Sequence, residues 1–250
     1  MLPVVLAVAC GPASAALLSV QGDARDPASE RLLYREDHLL RRDDDVPVER
    51  VVLYRCPDGT AFARKRVDYR DSRIAPAFSL VDARDGYREG LRRTGDKVSI
   101  YSGKRSAPLQ GDTRGVALVA DAGFDEFLRK HWDALHAQDS LPIRFAVPSH
   151  VRDLKFNVRS LGRGTVAGVP VQTFQLKLGG LLALVSPRID VAYHAGDRSL
   201  RRYTGLTNIR SNDGKPLEAR IDFANPAQAV AGTQWQAALD APLARCTIGA

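Results

Sequence analysis

The sequence predicts a mainly β (α+β) fold, a curved antiparallel sheet or unclosed β-barrel of about ten strands packed on one central amphipathic helix. Most segments between residues 32 and 223 alternate apolar and polar side chains with the two-residue period of half-buried strands. The segment 123–137 instead repeats apolar side chains at helical spacing. Many strands and one helix are typical of a sheet that wraps around that helix.

The helical segment gives the strongest pattern in the chain. Asp121 stands where an N-cap is expected, and acidic residues precede basic ones along the segment, which suits the helix dipole. We expect the apolar face to pack on the concave side of the sheet. That face consists of Phe124, Phe127, Leu128, Trp132 and Leu135.

The strands follow in order along the chain. Residues 16–30 are polar and predict a frayed arm. Residues 46–56 and 60–69 predict a hairpin, because the Cys56–Gly59 segment between them supplies proline and glycine at turn positions. The Ala-rich tail after residue 225 is expected to dock as a short helix. The other predicted strands are 32–40, 97–101, 116–119, 143–147, 154–158, 169–178, 189–193, 200–209 and 217–223.

Composition limits the classes of function. Apolar residues make up 44% and charged residues 26% of the 250-residue chain, which is ordinary for a soluble protein. No apolar run approaches the roughly 18 residues that a membrane-spanning helix needs. The net charge of +7 is scattered along the chain, so we expect no nucleic-acid partner. A soluble protein working near anionic lipid or anionic envelope polymers fits this charge better, and the oligomeric state is left open.

The first residues resemble a secretory signal. Residues 2–9 are apolar, and Ala13, Ser14 and Ala15 form a small-residue cleavage site. We therefore expect a signal peptide at 1–15, cleavage between Ala15 and Ala16, and a single β-rich domain at 16–250. This predicts a periplasmic or secreted protein. Residues 7–11 also resemble a degenerate lipoprotein box, and the alternative is a lipoprotein anchored through Cys10.

Removal of residues 1–15 leaves Cys56 and Cys246 as the two remaining cysteines. An even pair in an exported chain favours a disulfide, which would join the C-terminal tail to an early strand. The alternative is two unpaired buried thiols.

The sequence predicts no metal site and no cofactor. His131 and His136 are five residues apart and do not share a helix face as an i, i+4 metal pair does. Side chains that could carry out polar chemistry are most concentrated at residues 82–89, where Asp82, Asp85 and Glu89 are close together in the sequence. Carboxylates in different environments can act as acid and base, although solvated turns have the same composition.

Apolar residues near the helix predict a second kind of site. A sheet that fits loosely around a helix leaves an apolar cleft suited to an acyl chain. The alternative is that the same side chains only fill the core. The candidate lining residues are Trp132, Phe174, Leu176, Leu181, Leu182 and Leu184.

The last strands carry a resemblance to a known family. Residues 189–193, residues 200–209, the Asp213-Gly214 turn and the closing apolar strand resemble uncharacterised exported proteobacterial proteins. These in turn are similar in fold to the periplasmic lipoprotein localisation factors. The resemblance implies an unclosed barrel whose helices cover an apolar cavity for acyl chains. No ligand-contacting residue of that family can be matched to a position in this chain.

The sequence thus predicts a non-enzymatic periplasmic protein that binds an apolar or lipid-like ligand in the concave face of a curved sheet. One alternative is an envelope hydrolase that uses the carboxylates between Asp82 and Glu89. The other is a structural envelope-assembly module without a small ligand.

Overall fold

A computed structural model describes residues 16–113, 115–179 and 188–249. Within these ranges, sixteen strands form one sheet, with three α-helices and one short 3-10 helix (Pro148–His150). The helices are α1 (Gly123–Lys130), α2 (Trp132–Ala137) and α3 (Gly232–Asp240). The strands are β1 (Ala16–Arg25), β2 (Leu32–Asp43), β3 (Val46–Arg55), β4 (Ala61–Asp68), β5 (Ala77–Asp82), β6 (Tyr87–Thr94), β7 (Lys97–Ser102), β8 (Arg105–Leu109), β9 (Ala117–Ala120), β10 (Leu141–Val147), β11 (Arg152–Val166), β12 (Val169–Leu178), β13 (Ile189–His194), β14 (Leu200–Arg210), β15 (Pro216–Asp222) and β16 (Gln228–Ala229).

The sheet runs in the order β8-β7-β6-β5-β4-β3-β2-β1-β15-β14-β13-β12-β11-β10-β9, and β16 pairs with β1. All neighbours along this path are antiparallel except β9 and β10, which are parallel because α1 and α2 connect them. The predicted frayed arm at residues 16–30 is wrong. Its first part forms β1, which pairs along its length with β2, the next strand in the chain, and at its C-terminal end with the distant β15. The backbone groups of this polar segment are satisfied by these two ladders.

The two ends of the sheet overlap instead of joining edge to edge. On one face of the β9–β10 pair, Leu118 and Ala146 pack in a buried cluster with Leu91 and Ile100 of β6 and β7. On the other face, residues such as Ile143 pack against α1 and α2. The predicted unclosed, curved, mainly β sheet is confirmed.

The predicted number of about ten strands is too low. The additional strands include β5, β6 and β8, which lie between residues 77 and 109, where the sequence predicts only the strand at 97–101. These residues pair with their neighbours through the backbone, which does not depend on side-chain polarity.

The central helix forms where the sequence predicts it, with a break at His131 that separates α1 from α2. Its five apolar side chains are all buried, as predicted. The expected N-cap is wrong, because Ala122 occupies that position without a side-chain cap bond. Asp121 instead has a left-handed φ of 44°, and its carboxylate accepts a hydrogen bond from Lys65 on β4.

The C-terminal helix α3 covers part of the outer, convex face of the sheet. Trp235 and Ala238 pack on Leu39, Val51 and Leu53 of β2 and β3. The tail helix predicted from composition is therefore present, and it lies on the opposite face of the sheet from α1 and α2.

Cys56 and Cys246 form a disulfide with a Cα–Cα distance of 6.4 Å. Beside it, the Ala244 amide donates a hydrogen bond to the Ala61 carbonyl at 2.9 Å. The tail is thus attached to the end of β3 and the start of β4, and the alternative of two unpaired thiols is wrong. Among the described ranges, no helix is long and apolar enough to span a membrane.

Candidate functional site

The apolar residues predicted from sequence meet on the inner, concave face of the sheet. Trp132 of α2 packs edge-on against Phe174 of β12, with ring centroids 5.0 Å apart. Leu176, two residues along β12, belongs to the same buried cluster. The structure therefore brings these three predicted lining residues together. They fill space against one another, so a ligand contact at these residues stays a prediction, and the other three, Leu181, Leu182 and Leu184, lie outside the described residues.

A rim of half-buried apolar side chains continues outward from this cluster. It consists of Leu141 and Phe145 of β10, Phe156 of β11 and Ile189 of β13, and we call it the apolar rim. Phe145 and Phe156 have ring centroids 6.1 Å apart in an edge-on arrangement. Individual half-exposed apolar residues are normal on protein surfaces, but a contiguous set around one buried helix is typical of a binding surface.

A groove of about 920 Å³ runs along β10 and β11 beside this rim. Ile143 and Phe156 are in its lining, together with Pro142 and Val116. It reaches Gly179, the last described residue before the apolar segment 180–187. Its volume is in the range of ligand pockets that hold a molecule of drug or lipid size.

Arg144 fixes one wall of this groove. Its guanidinium pairs with Asp153 at 2.8 Å and donates to the Gly111 carbonyl at 2.7 Å and the Thr113 hydroxyl at 3.1 Å. These bonds attach the loop after β8 to β10. The groove is consequently bounded on this side by a connected set of polar contacts.

A buried ion pair holds the start of α1 against the sheet. Arg50 of β3 lies 3.3 Å from the Asp125 carboxylate, and the Tyr193 hydroxyl of β13 donates to the same carboxylate at 2.6 Å. Burial opposes the charge on Asp125, but Arg50, Arg129 and the Tyr193 hydrogen bond outweigh it and hold its pKa below the ordinary value. The helix is thereby connected to strands from both halves of the sheet.

Further charged residues lie on the inner face near this anchor. Lys65 of β4 donates to Asp121 at 2.9 Å, and both side chains are almost fully buried. On β2, the His38 ring and Glu36 carboxylate lie 2.7 Å apart. Among the described residues, the second carboxylate oxygen of Asp121 has no hydrogen-bond partner. The centre of the sheet thus carries buried charges beside apolar side chains such as Val52 and Leu80.

Two of the three carboxylates at 82–89 are buried, while Asp85 lies exposed in the turn at 83–86, where it pairs with Arg210. Asp82 is 2% exposed and pairs with Arg84 at 2.6 Å. Glu89 is 4% exposed and accepts hydrogen bonds from Tyr87 at 2.7 Å and from Asn208 of β14 at 2.9 Å. Burial raises the pKa of Glu89 above its ordinary value, although these two hydrogen bonds oppose the shift. Asp82 and Glu89 thus help to join β6 and its neighbours to β14.

Sequence reasoning missed these buried charges for an identifiable reason. Lys65 is paired in the sheet with Leu80, which is itself paired with Glu89, so all three face inward. If every polar side chain of a strand is assigned to the outer face, Lys65 and Glu89 are placed on the wrong face. The available signal was the register of the hairpins, since residues paired across strands share a face. In the described ranges, no cluster of three or more residues suited to binding a metal ion is found.

Comparison with known proteins gives only distant similarities. No family model matches this chain, and no curated protein matches its sequence. A crystal structure of a β-barrel-like protein of a domain of unknown function from Brucella abortus is similar with a TM-score of 0.47 and 10% identity, covering 87% of this chain and 98% of that chain. A proposed outer membrane lipoprotein-sorting protein domain from Vibrio parahaemolyticus has a TM-score of 0.27 and 8% identity, covering 89% of this chain and 88% of that chain. At scores this low, neither similarity carries a conclusion about function.

Proposed function

We propose that this chain is an exported envelope protein that binds an apolar or lipid-like ligand. The ligand lies in the groove along β10 and β11, against the apolar rim. The observation that carries the proposal is the 920 Å³ groove with Phe156 in its lining, beside a helix cluster that is buried and apolar. An acyl chain matches the apolar part of this lining, which also includes the polar residues Gln110, Lys155 and Asn157.

Export to an oxidising compartment is the second part of the proposal. The Cys56–Cys246 disulfide supports it, because disulfides form and persist in the periplasm and outside the cell. A signal peptide at 1–15 and cleavage before Ala16 belong to the same proposal, with a lipid anchor at Cys10 as the alternative. Mass spectrometry of the N-terminus of the protein isolated from its natural host distinguishes the two.

The hydrolase alternative draws less support from the geometry. Asp82 and Glu89 are buried and engaged by Arg84, Tyr87 and Asn208, which leaves neither carboxylate open to a substrate or water. A structural envelope-assembly module is the remaining alternative, and it predicts no small ligand.

The direct test is lipid extraction from protein that has been purified without detergent, followed by mass spectrometry. We expect a stoichiometric lipid or fatty acid. A photoreactive palmitate with a diazirine group is then expected to label peptides from β10 and β11, and not peptides from α3 on the outer face.

A matched pair of variants assigns the ligand to the groove. Phe156→Ser removes a half-buried ring from the lining, whereas Leu161→Ser removes a 45% exposed side chain from the same strand. We expect Phe156→Ser to lose most of the palmitate labelling and Leu161→Ser to retain it, with circular dichroism confirming that both are folded. No bound lipid and equal labelling of both variants would favour the assembly module.

A further inference from the structure

A second groove lies on the outer face of the sheet, on the side opposite to α1 and α2. It has a volume of about 370 Å³, and its lining includes Trp235 of α3. Its floor is a row of paired residues that cross four strands: Arg66 of β4, Ser79 of β5, Gly90 of β6 and Tyr101 of β7.

The Tyr101 ring packs closely over Gly90 at one side of this groove. Gly90 has no φ in the left-handed region, so its backbone does not require glycine. A Cβ at this position would instead overlap the Phe78 carbonyl oxygen and would lie 2.7 Å from the Tyr101 hydroxyl. A larger residue at this position would therefore displace the backbone or the Tyr101 ring, on which Arg92 stacks.

Among the described residues, three guanidinium groups in the lining have no acidic partner, those of Arg66, Arg92 and Arg93, and Arg93 donates to the Ala75 carbonyl. Arg66 and Arg92 are both exposed, and among the described residues no carboxylate lies within ion-pair distance of either. Arg92 stacks on the Tyr101 ring, with its guanidinium carbon 3.8 Å from the ring centroid. This stacking holds the guanidinium at the groove and reduces the conformational entropy that ligand binding costs.

The acidic residues in the same lining are already neutralised. Glu49 pairs with Arg41 at 2.7 Å and with Arg70 at 3.0 Å, and Arg70 also pairs with Asp68 at 2.7 Å. The positive charges of Arg66 and Arg92 are therefore not cancelled by these carboxylates. The groove has an excess of positive charge and planar donors that suit an oxyanion.

We infer that this groove, which we call the arginine groove, binds a phosphate group through Arg66 and Arg92. Guanidinium groups donate parallel hydrogen bonds that match the geometry of phosphate oxygens, and such charge-assisted bonds are stronger than neutral ones. The phosphate is carried either by a lipid headgroup or by a soluble phosphate compound, which share this chemistry. The inference does not depend on the apolar ligand, because the two grooves have no lining residue in common.

The test uses inorganic pyrophosphate as the soluble probe, at about 0.15 M salt so that exposed charges are screened. In a two-dimensional NMR titration we expect saturable shifts of the Ser79 and Gly90 amides. The double variant Arg66→Gln/Arg92→Gln is expected to bind at least tenfold more weakly. The control Arg152→Gln/Arg163→Gln removes the same charge from exposed positions on β11 and is expected to change affinity by less than twofold.

A third variant distinguishes binding in the groove from a general effect of the net charge of the protein. Ser79→Phe keeps both arginines but fills the floor, so it should also weaken binding at least tenfold. Equal weakening by the two double variants, or no saturable shift in the wild-type protein, would overturn the inference. Phe156→Ser should leave pyrophosphate binding unchanged, which keeps a failure of this inference distinguishable from a failure of the proposed function.

Vesicles distinguish the two sources of phosphate. Sedimentation with phosphatidylglycerol vesicles that depends on Arg66 and Arg92, and no sedimentation with phosphatidylcholine vesicles, assigns the site to an anionic lipid headgroup. Pyrophosphate binding without vesicle binding assigns it to a soluble phosphate compound.

Discussion

Lys65 and Asp121 form a buried ion pair across the inner face of the sheet, with the Lys65 ammonium nitrogen 2.9 Å from an Asp121 oxygen. Burial opposes the charge on Lys65, but the carboxylates of Asp121 and Glu36 outweigh it and hold its pKa above the ordinary value. Because Asp121 lies between β9 and α1, the pair connects the late β9–α1 region to a strand from the first third of the chain.

Replacement of Lys65 by Met is expected to destabilise the protein by about 3–5 kcal/mol, because Asp121 would stay buried without its cation. Urea denaturation measures the change. The double variant Lys65→Met/Asp121→Asn should recover a large part of this loss, since it buries no unpaired Asp121 charge. As a control, Glu30→Gln breaks an exposed pair with Arg220 and should cost less than about 1 kcal/mol. Equal costs for Lys65→Met and Glu30→Gln would contradict the prediction.

Glu89 gives a prediction about pH. Its raised pKa means that the folded state binds the proton more tightly than the unfolded state, whose pKa is near the ordinary value of 4.5. This group therefore lowers stability as the pH rises above 4.5 through the folded-state pKa. We expect Glu89→Gln to be at least as stable as the wild type at pH 7, with a difference that shrinks as the pH falls towards 4.5.

The matched variant Glu89→Ala separates charge from hydrogen bonding. It removes the acceptor for Tyr87 and Asn208, and an unsatisfied buried donor costs about 1–3 kcal/mol. Urea denaturation between pH 4.5 and 8 measures all three proteins. A stability advantage for Glu89→Gln that grows on acidification would show that the assigned direction of the pKa shift is incorrect.

The disulfide gives a prediction about redox conditions. Cys56 and Cys246 are 190 residues apart in sequence, so the bond closes nearly the whole described chain into a loop. Its reduction is expected to lower the free energy of unfolding by about 5 kcal/mol in the chain-entropy model. The measurement is urea denaturation with and without dithiothreitol. The variant Cys56→Ser/Cys246→Ser should match the reduced protein and should not respond to the reductant.

Gly90 gives a prediction about packing under the Tyr101 ring, which lines the arginine groove. Gly90→Ala is expected to cost about 1–3 kcal/mol, because the added methyl group overlaps the Phe78 carbonyl and must displace the backbone or the Tyr101 ring. Gly164→Ala is the control, since nothing lies within 4 Å of a Cβ at that position on β11. Thermal unfolding should shift for Gly90→Ala alone, and equal shifts would show that the floor of the groove is not tightly packed.

The sequence alone determined the elements whose side chains follow one simple period. The apolar face of 123–137 predicted a helix that is buried as expected, and the turn at Pro57 and Gly59 predicted the hairpin of β3 and β4. The sequence also predicted the disulfide, because Cys56 and Cys246 are the only two cysteines outside the predicted signal peptide. In each case the information is local or restricted to a single pair.

Only the tertiary structure decided where the chain ends pair, how the sheet overlaps and which charges are buried. The polar composition of residues 16–25 predicted an arm, yet they form β1, which pairs with the adjacent β2 and, at its C-terminal end, with β15 almost 200 residues away. Local pattern carries no information on the pairing with β15. Their polarity predicts that Lys65 and Glu89 face outward. Both face inward instead, where Asp121 pairs with Lys65 and Asn208 donates to Glu89. Burial of a charge becomes favourable only when such a partner is present. The buried charges on the inner face therefore depend on contacts with distant segments, which the sequence of a single strand does not predict.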